Sequence, residues 1–216
     1  MPSLAEIADA LAQGLRSAEL ALRAEQAVHG LDVLDEVALH PHLADALRQA
    51  GFGVHREQRY PTARSRRRRS EGDRCDLVVT DEGRALRAPD AVPTLFDPPD
   101  AVPLDEAIWL EVKAIPQYLA EGANRRYAAE ILRPPRGDVG KLARDAGIRR
   151  AGLVMVLFTA DRAVAEHDLA AWSHRAIDRG LMIEAPTVRH VDLLDRIGNR
   201  VCTIAVFGVR GESGAG

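Results

Sequence analysis

Residues 107–114 read Ala-Ile-Trp-Leu-Glu-Val-Lys-Ala, and this stretch decides the fold. Successive side chains of a β-strand point to opposite faces, so the apolar residues at even positions would share one face. Trp109, Glu111 and Lys113 would share the other face. The pattern therefore predicts a strand that buries one face in a core and carries a carboxylate beside an ammonium group on the other.

A second strand is predicted upstream, over residues 75–80, and it places Asp76 near its start. Carboxylate oxygens are the ligands that Mg²⁺ prefers, and the backbone carbonyl of Val112 offers a third oxygen beside Asp76 and Glu111. A cation there would polarise a phosphoryl oxygen and lower the pKa of a bound water. Lys113 would position that water or offset transition-state charge. The residues predict a metal-dependent phosphodiesterase, and the alternative is a surface Glu-Lys pair on an amphipathic strand.

Lysine is used very sparingly in this chain. Of 29 basic residues, only Lys113 and Lys141 are lysines. The planar guanidinium of arginine does not replace a compact ammonium group. A chain that uses arginine nearly everywhere else therefore indicates a chemical need for lysine at position 113.

Size and composition indicate one globular domain of 216 residues with an apolar share of 46%. The two cysteines, Cys75 and Cys202, have no paired spacing, which argues against a disulfide framework and a cysteine zinc site. No stretch is apolar enough to span a membrane, and the N-terminus lacks the features of a signal peptide. We expect a cytoplasmic protein without a membrane partner.

The domain prediction separates an N-terminal helix (1–29), a main domain (30–210) and a flexible tail (211–216). Ser3 and Glu6 form a capping box for the first helix. Its leucine stripe would pack on the main domain, which is the commoner case, or pair with another copy of the chain.

A second helix is predicted from about Asp32 to Ala50, with Glu36 and His40 on the face that carries its core leucines. Glu36 is either a capping acid in the first turn or an acid aimed at an active site. For His40 and His42, which flank a helix kink predicted at Pro41, a solvated or capping role is favoured over metal binding.

Arginine-rich segments are the predicted contacts to nucleic acid. Residues 55–74 contain eight arginines and three acids, although the net charge of the chain is −3. Arginine neutralises phosphates, whereas a run of like charges is more simply a solvated loop. A long insertion at 81–105 is either a flap, a partner-contact loop or, as favoured here, a tolerated insertion. The predicted contacts are Arg64, Arg66, Arg67, Arg68, Arg69, Arg125, Arg126 and Lys141.

The order of these features resembles the PD-(D/E)XK nuclease superfamily over roughly residues 31–160. It runs from a helix with Glu36, through a strand with Asp76 and a strand with Glu111-Val112-Lys113, to a helix with Lys141 and an apolar strand. The resemblance implies an α/β, restriction-endonuclease-like fold, a central mixed β-sheet flanked by helices, here with an extra N-terminal helix. It implies Mg²⁺ at Asp76 and Glu111, Lys113 acting on the attacking water, and Glu36 supporting the metal, often through water. Cys75 stands where the motif has proline.

The leading hypothesis is a Mg²⁺-dependent endonuclease, for which Mn²⁺ also serves, with DNA as the expected substrate. A homodimer is compatible with it, because cutting two strands takes two active sites. One alternative is a nucleic-acid-binding module on a nuclease-like scaffold that no longer cleaves. Another is an assembly protein that recruits a partner through the N-terminal helix and the proline-rich insertion.

Overall fold

The computed structural model describes residues 2–62, 74–87 and 100–211. The strands are β1 (Gly53–Arg59), β2 (Arg74–Thr80), β3 (Ile108–Pro116), β4 (Tyr118–Leu119), β5 (Gly122–Ala123), β6 (Arg150–Thr159), β7 (Thr187–Asp192) and β8 (Val201–Val209). Six of them form a mixed sheet in the order β1-β2-β3-β6-β8-β7, in which β3 and β6 run parallel and all other neighbours are antiparallel. A separate two-stranded ribbon pairs β4 with β5.

Five α-helices cover both faces of this sheet. They are α1 (Leu4–Ala24), α2 (Glu36–Gln49), α3 (Tyr127–Leu132), α4 (Pro134–Arg144) and α5 (Arg162–Asp178), and a 3-10 helix spans Leu31–Val33. The buried side chains of α1 and α2 form one core with the sheet, and those of α3, α4 and α5 form a second core on the opposite face. The α/β prediction with a mixed sheet flanked by helices is confirmed at this level.

The strand predicted at 107–114 is β3, and it lies inside the sheet. Leu110 pairs with Leu77 of β2, and the parallel pairing with β6 runs from Ile108 to Pro116. Ile108, Leu110 and Val112 are buried in the core that α1 and α2 share with the sheet, as the alternation predicts, and Ala114 packs against this core partly buried. Trp109 on the other face is fully buried as well, so β3 is covered by helices on both sides.

Helix α1 packs onto the sheet and onto α2. Its capping box is present, because the Ser3 hydroxyl accepts the Glu6 N–H while the Glu6 carboxylate accepts the Ser3 N–H. Ile7, Leu11 and Leu15 are fully buried in the core that also holds residues of α2, β7 and β8. The leucine stripe therefore packs on the main domain, which was the commoner of the two expected cases.

Helix α2 begins at Glu36, about four residues later than predicted. Asp35 is its N-cap, since its carboxylate accepts the Ala38 N–H at 2.7 Å. Asp32 cannot serve this end, because its carboxylate is buried and accepts a hydrogen bond from Asn199. The helix continues through Pro41 to Gln49 rather than restarting there.

Two other expectations concern the insertion at 81–105 and the tail at 211–216. The insertion is anchored at its described ends, where Leu86 bridges Val102. Ile183, which follows α5, forms a single bridge with Val209 of β8. The expected tail lies outside the described residues except for Gly211. Among the helices that the structure describes, none is long and apolar enough to cross a bilayer.

Candidate metal centre

Asp76 and Glu111 meet where the pairing of β2 with β3 ends. The recorded register covers Leu77–Val79 opposite Ile108–Leu110, and Asp76 lies just beyond it. There the Asp76 Oδ2 accepts the backbone N–H of Val112 at 2.8 Å. A side-chain carboxylate thus satisfies this N–H in place of the neighbouring strand, which fixes Asp76 beside the Glu-Val-Lys triplet.

Glu111 is held in a buried position, with 3% of its surface exposed. The hydroxyl of Tyr60, which follows β1, donates to Glu111 Oε1 at 2.5 Å, and the Tyr60 ring stacks on Trp109. Burial raises the pKa of Glu111 to about 8, and the neighbouring Asp76 carboxylate acts in the same direction. Carboxylates crowded in this way repel one another, and a bound cation removes that repulsion.

Lys113 lies between two carboxylates. Its Nζ is 2.8 Å from Glu36 Oε1 and 3.2 Å from Asp138 Oδ2. Burial disfavours the charged ammonium, but the bonds to Glu36 and Asp138 outweigh it and raise the pKa of Lys113. Lys113 is therefore a fixed cation in this structure.

Lys141 reaches the same carboxylate, because its Nζ is 2.8 Å from Asp138 Oδ1. Asp138 and Lys141 are three residues apart on α4, so they share one face of that helix. The two lysines of the chain thus flank one aspartate.

A third approach to the centre comes from α2. One ligand atom each of Glu36, His40 and Asp76 lies within 4.8 Å of the other two. Glu36 is in the first turn of α2 and His40 is one turn later, so both project from the same face. Glu36 was expected to be either a capping acid of α2 or an acid aimed at an active site. Its hydrogen bond from Lys113 fits the second role. The solvated or capping role expected for His40 is wrong, because only 2% of its surface is exposed and neither ring nitrogen has a hydrogen-bond partner among the described residues.

A cleft of about 550 Å³ opens beside Glu36 and Lys113. Arg126 lines this cleft with a side chain that is 83% exposed and has Glu130 as a weak ion-pair partner at 3.6 Å. Arg125, its neighbour in sequence, is also exposed. Other lining residues come from the segment before α2, from the end of β3 and from the segment after it, namely Asp32, Asp35, Pro116, Leu119 and Asn124.

The structure brings together most of the predicted site. Glu36, Asp76, Glu111, Lys113 and Lys141 lie in one cluster linked by the contacts above. The main chain of Val112 is at the centre through its N–H, and the role of its carbonyl stays a prediction. Five predicted contacts lie outside the described residues: Arg64, Arg66, Arg67, Arg68 and Arg69.

Two residues of the centre, Asp138 and Tyr60, were not anticipated. The spacing of Asp138 and Lys141 on a predicted helix was a signal for Asp138, because residues three apart meet on a helix surface. Tyr60 reaches Glu111 across 51 positions of sequence, and no local pattern indicates that contact. The two carboxylates and one imidazole of Glu36, His40 and Asp76 are a donor set that fits a divalent cation, and the buried carboxylate of Glu111 adds negative charge beside Asp76.

The chain was compared with protein-family models, with curated proteins and with solved structures, and none of the three comparisons gave a significant match.

Proposed function

We propose that this protein is a divalent-cation-dependent nuclease of the PD-(D/E)XK type that hydrolyses phosphodiester bonds, with DNA as the expected substrate. One observation carries the proposal. Glu36 from α2, Asp76 from β2, and Glu111 and Lys113 from β3 converge at one place in the fold. Each has the chemistry that metal-assisted phosphodiester hydrolysis requires.

The order of the elements supports a restriction-endonuclease-like fold. Helix α2 precedes the antiparallel strands β1, β2 and β3, and helices α3 and α4 then lead to β6, which is parallel to β3. This is the order of helix, acidic strands, helix and apolar strand that the sequence resemblance implies. The insertion between β2 and β3 does not disturb the antiparallel pairing of these two strands.

Asp76, Glu111 and Glu36 are the carboxylates that would hold the cation. When bound, such a cation supplies a Lewis acid for a phosphoryl oxygen and a water of lowered pKa. Tyr60 orients Glu111, and the Val112 N–H orients Asp76. These contacts set the two carboxylates in place before any substrate arrives.

Lys113 has a separate task. An ammonium group has three N–H donors, and one of them bonds to Glu36, while Asp138 Oδ2 is an ion-pair partner at 3.2 Å. A donor that these contacts leave over would be available to a phosphate oxygen or to the attacking water. A cation fixed in this position stabilises the charge that develops on the phosphoryl oxygens.

The adjoining cleft supports an anionic polymer as substrate. Arg126 lies at its edge, and arginine neutralises the phosphates that dominate the affinity of proteins for nucleic acids. Arg125 and Lys141 are the other predicted contacts within the described residues. The arginines at 64 and 66–69 remain predicted contacts.

Cleavage assays on supercoiled plasmid and on single-stranded DNA and RNA, with Mg²⁺ or Mn²⁺, test the proposal. We expect cation-dependent cleavage by the wild type, and losses of about 10²–10³-fold or more in Asp76→Asn and Lys113→Gln. Asp192→Asn is the control, because it removes an exposed carboxylate of β7. Full cleavage by Asp76→Asn would contradict the proposal, and substrate binding without any cleavage would favour the non-cleaving module.

A further inference from the structure

We propose that His40 is a direct ligand of the cation at this centre, which therefore selects a first-row transition-metal ion such as Mn²⁺ over Mg²⁺. The inference rests on the cation site of the proposed function. It adds a nitrogen ligand to that site and a metal preference that the Asp-Glu-Lys pattern does not carry.

The burial of His40 is the first observation. Its side chain is 98% buried, and neither ring nitrogen has a hydrogen-bond partner among the described residues. Buried polar groups in folded proteins almost always have a partner, and an exception calls for an ion or an ordered water. By contrast, His190 places its Nδ1 2.9 Å from the Thr203 hydroxyl.

The position of His40 is the second observation. One of its ring nitrogens lies within 4.8 Å of a carboxylate oxygen of Glu36 and of one of Asp76. Ligand atoms of one octahedral ion are about 3 Å apart when they are neighbours and roughly 4.2–4.4 Å apart when they lie on opposite sides of the ion. With no pair more than 4.8 Å apart, the three atoms can bind a common ion once their side chains move closer together around it.

The backbone makes this arrangement specific to α2. Glu36 and His40 are one helical turn apart and share a face, whereas Asp76 is held opposite them by the Val112 N–H. His42 is two residues further on and points away, with an exposed side chain. The helix therefore offers one buried histidine toward the centre and one solvated histidine that is not part of it.

Ligand chemistry then sets the metal preference. Mg²⁺ is a hard cation that takes oxygen ligands and retains several waters. Imidazole suits first-row transition-metal ions, whose affinity for nitrogen-containing sites exceeds that of Mg²⁺. A site with an imidazole beside two carboxylates consequently favours the transition-metal ion.

Calorimetric titration with Mn²⁺ and, separately, with Mg²⁺ tests the inference on wild type, His40→Gln and His42→Gln. We expect the wild type to bind Mn²⁺ at least about tenfold more tightly than Mg²⁺, and His40→Gln to lose at least about tenfold in Mn²⁺ affinity. The Mg²⁺ affinity of His40→Gln should change much less. His42→Gln is the matched control and should bind both ions as the wild type does.

Pulsed electron paramagnetic resonance of the Mn²⁺-loaded protein provides a second readout, which detects a nitrogen ligand directly. A nitrogen coupling from one histidine is expected, and it should be missing in His40→Gln and retained in His42→Gln. Absence of the coupling in the wild type, or unchanged Mn²⁺ affinity in His40→Gln, would overturn the inference. Nitrogen-coupled Mn²⁺ without cleavage of any substrate would support the inference and count against the nuclease proposal. Cleavage without nitrogen coupling would support the nuclease proposal and overturn the inference about His40.

Discussion

Lys113 owes its place in the centre to the two carboxylates that hold it. Glu36 and Asp138 approach the ammonium from α2 and α4, which leaves room for a compact group between the helices. A guanidinium group is wider and planar. It therefore cannot contact both Glu36 and Asp138 and still direct an N–H donor toward the phosphate or water that Lys113 is proposed to bind. The scarcity of lysine in the sequence is consistent with this demand.

We therefore expect Lys113→Arg to reduce cleavage by about 10²-fold, although the charge is conserved. Its cation affinity should stay close to that of the wild type, because Lys113 is not a ligand. Cleavage rates and calorimetry on the same samples measure the two effects. An active Lys113→Arg variant would remove the case for a compact ammonium group.

Tyr60 supports the centre through Glu111. Replacing it with phenylalanine keeps the stacking on Trp109 and removes only the hydroxyl that donates to the carboxylate. We expect Tyr60→Phe to lower divalent-cation affinity by about 10–100-fold, as for other groups that orient a metal ligand. Titration with Mn²⁺ measures the change.

Tyr127 offers a matched control for this experiment. Its hydroxyl donates to Asp168 at 2.8 Å, so Tyr127→Phe removes the same kind of bond from a pair that joins α3 to α5. Its cation affinity should equal that of the wild type. If both variants lose affinity equally, the effect of Tyr60→Phe is a general loss of stability and not an effect on Glu111.

At the scale of elements, α1 and α2 pack unusually closely at Gly14. A Cβ added at Gly14 would lie 2.1 Å from the Cβ of Ala46. We expect Gly14→Ala to destabilise the protein by about 1–3 kcal/mol, although alanine is the better helix former. Gly137→Ala on α4 has open space around the new methyl group, and it should stabilise by about 0.4–1 kcal/mol. Urea unfolding measures both, and a neutral Gly14→Ala would contradict the close packing.

Helix α1 is also tied to the loop before β8 through a buried ion pair. Glu19, with 2% of its surface exposed, binds Arg196 and Arg23 and accepts the Leu194 N–H. Burial alone would raise the pKa of Glu19, but these partners outweigh it and lower the pKa. The ionised form is therefore the one that stabilises the fold.

Glu19→Gln would leave Arg196 charged and buried, and we expect it to cost about 3–5 kcal/mol at pH 7. Because the pKa of Glu19 is lowered on folding, its contribution is present above the unfolded value of 4.5 and is lost as the pH falls through the folded value. The stability difference between wild type and variant should therefore shrink on acidification below about pH 4.5. A difference that is independent of pH would contradict this account.

Local patterns predicted the elements that have a simple period. The alternation at residues 107–114 depends on nearest neighbours in sequence, and β3 forms there, from Ile108 to Pro116. The start of α2 was predicted about four residues too early, because Asp32 lies in a separate 3-10 helix and Leu34 and Asp35 are extended. The Asp32 carboxylate accepts a hydrogen bond from Asn199, a partner far away in the chain that no local pattern indicates.

At the scale of the whole molecule, the centre exists because the sheet order places distant segments together. Asp76, Glu111 and Lys113 were recognisable from two neighbouring strands, and these side chains do lie together. The contributions of Asp138, Tyr60 and His40 depend on how α4, β1 and α2 pack against those strands. Sequence spacing alone does not contain that information.

The central claim is that Asp76 on β2 and Glu111 on β3 bind one divalent cation. The most direct measurement is calorimetric cation affinity in the wild type, Asp76→Asn, Glu111→Gln and the double variant. We expect each single variant to lose at least about tenfold, and the double variant to lose less than the product of the two single losses, because both side chains serve one ion. Two results would contradict a shared metal centre. One is a single variant that binds the cation as tightly as the wild type does, and the other is a double variant whose loss of affinity equals the product of the two single losses.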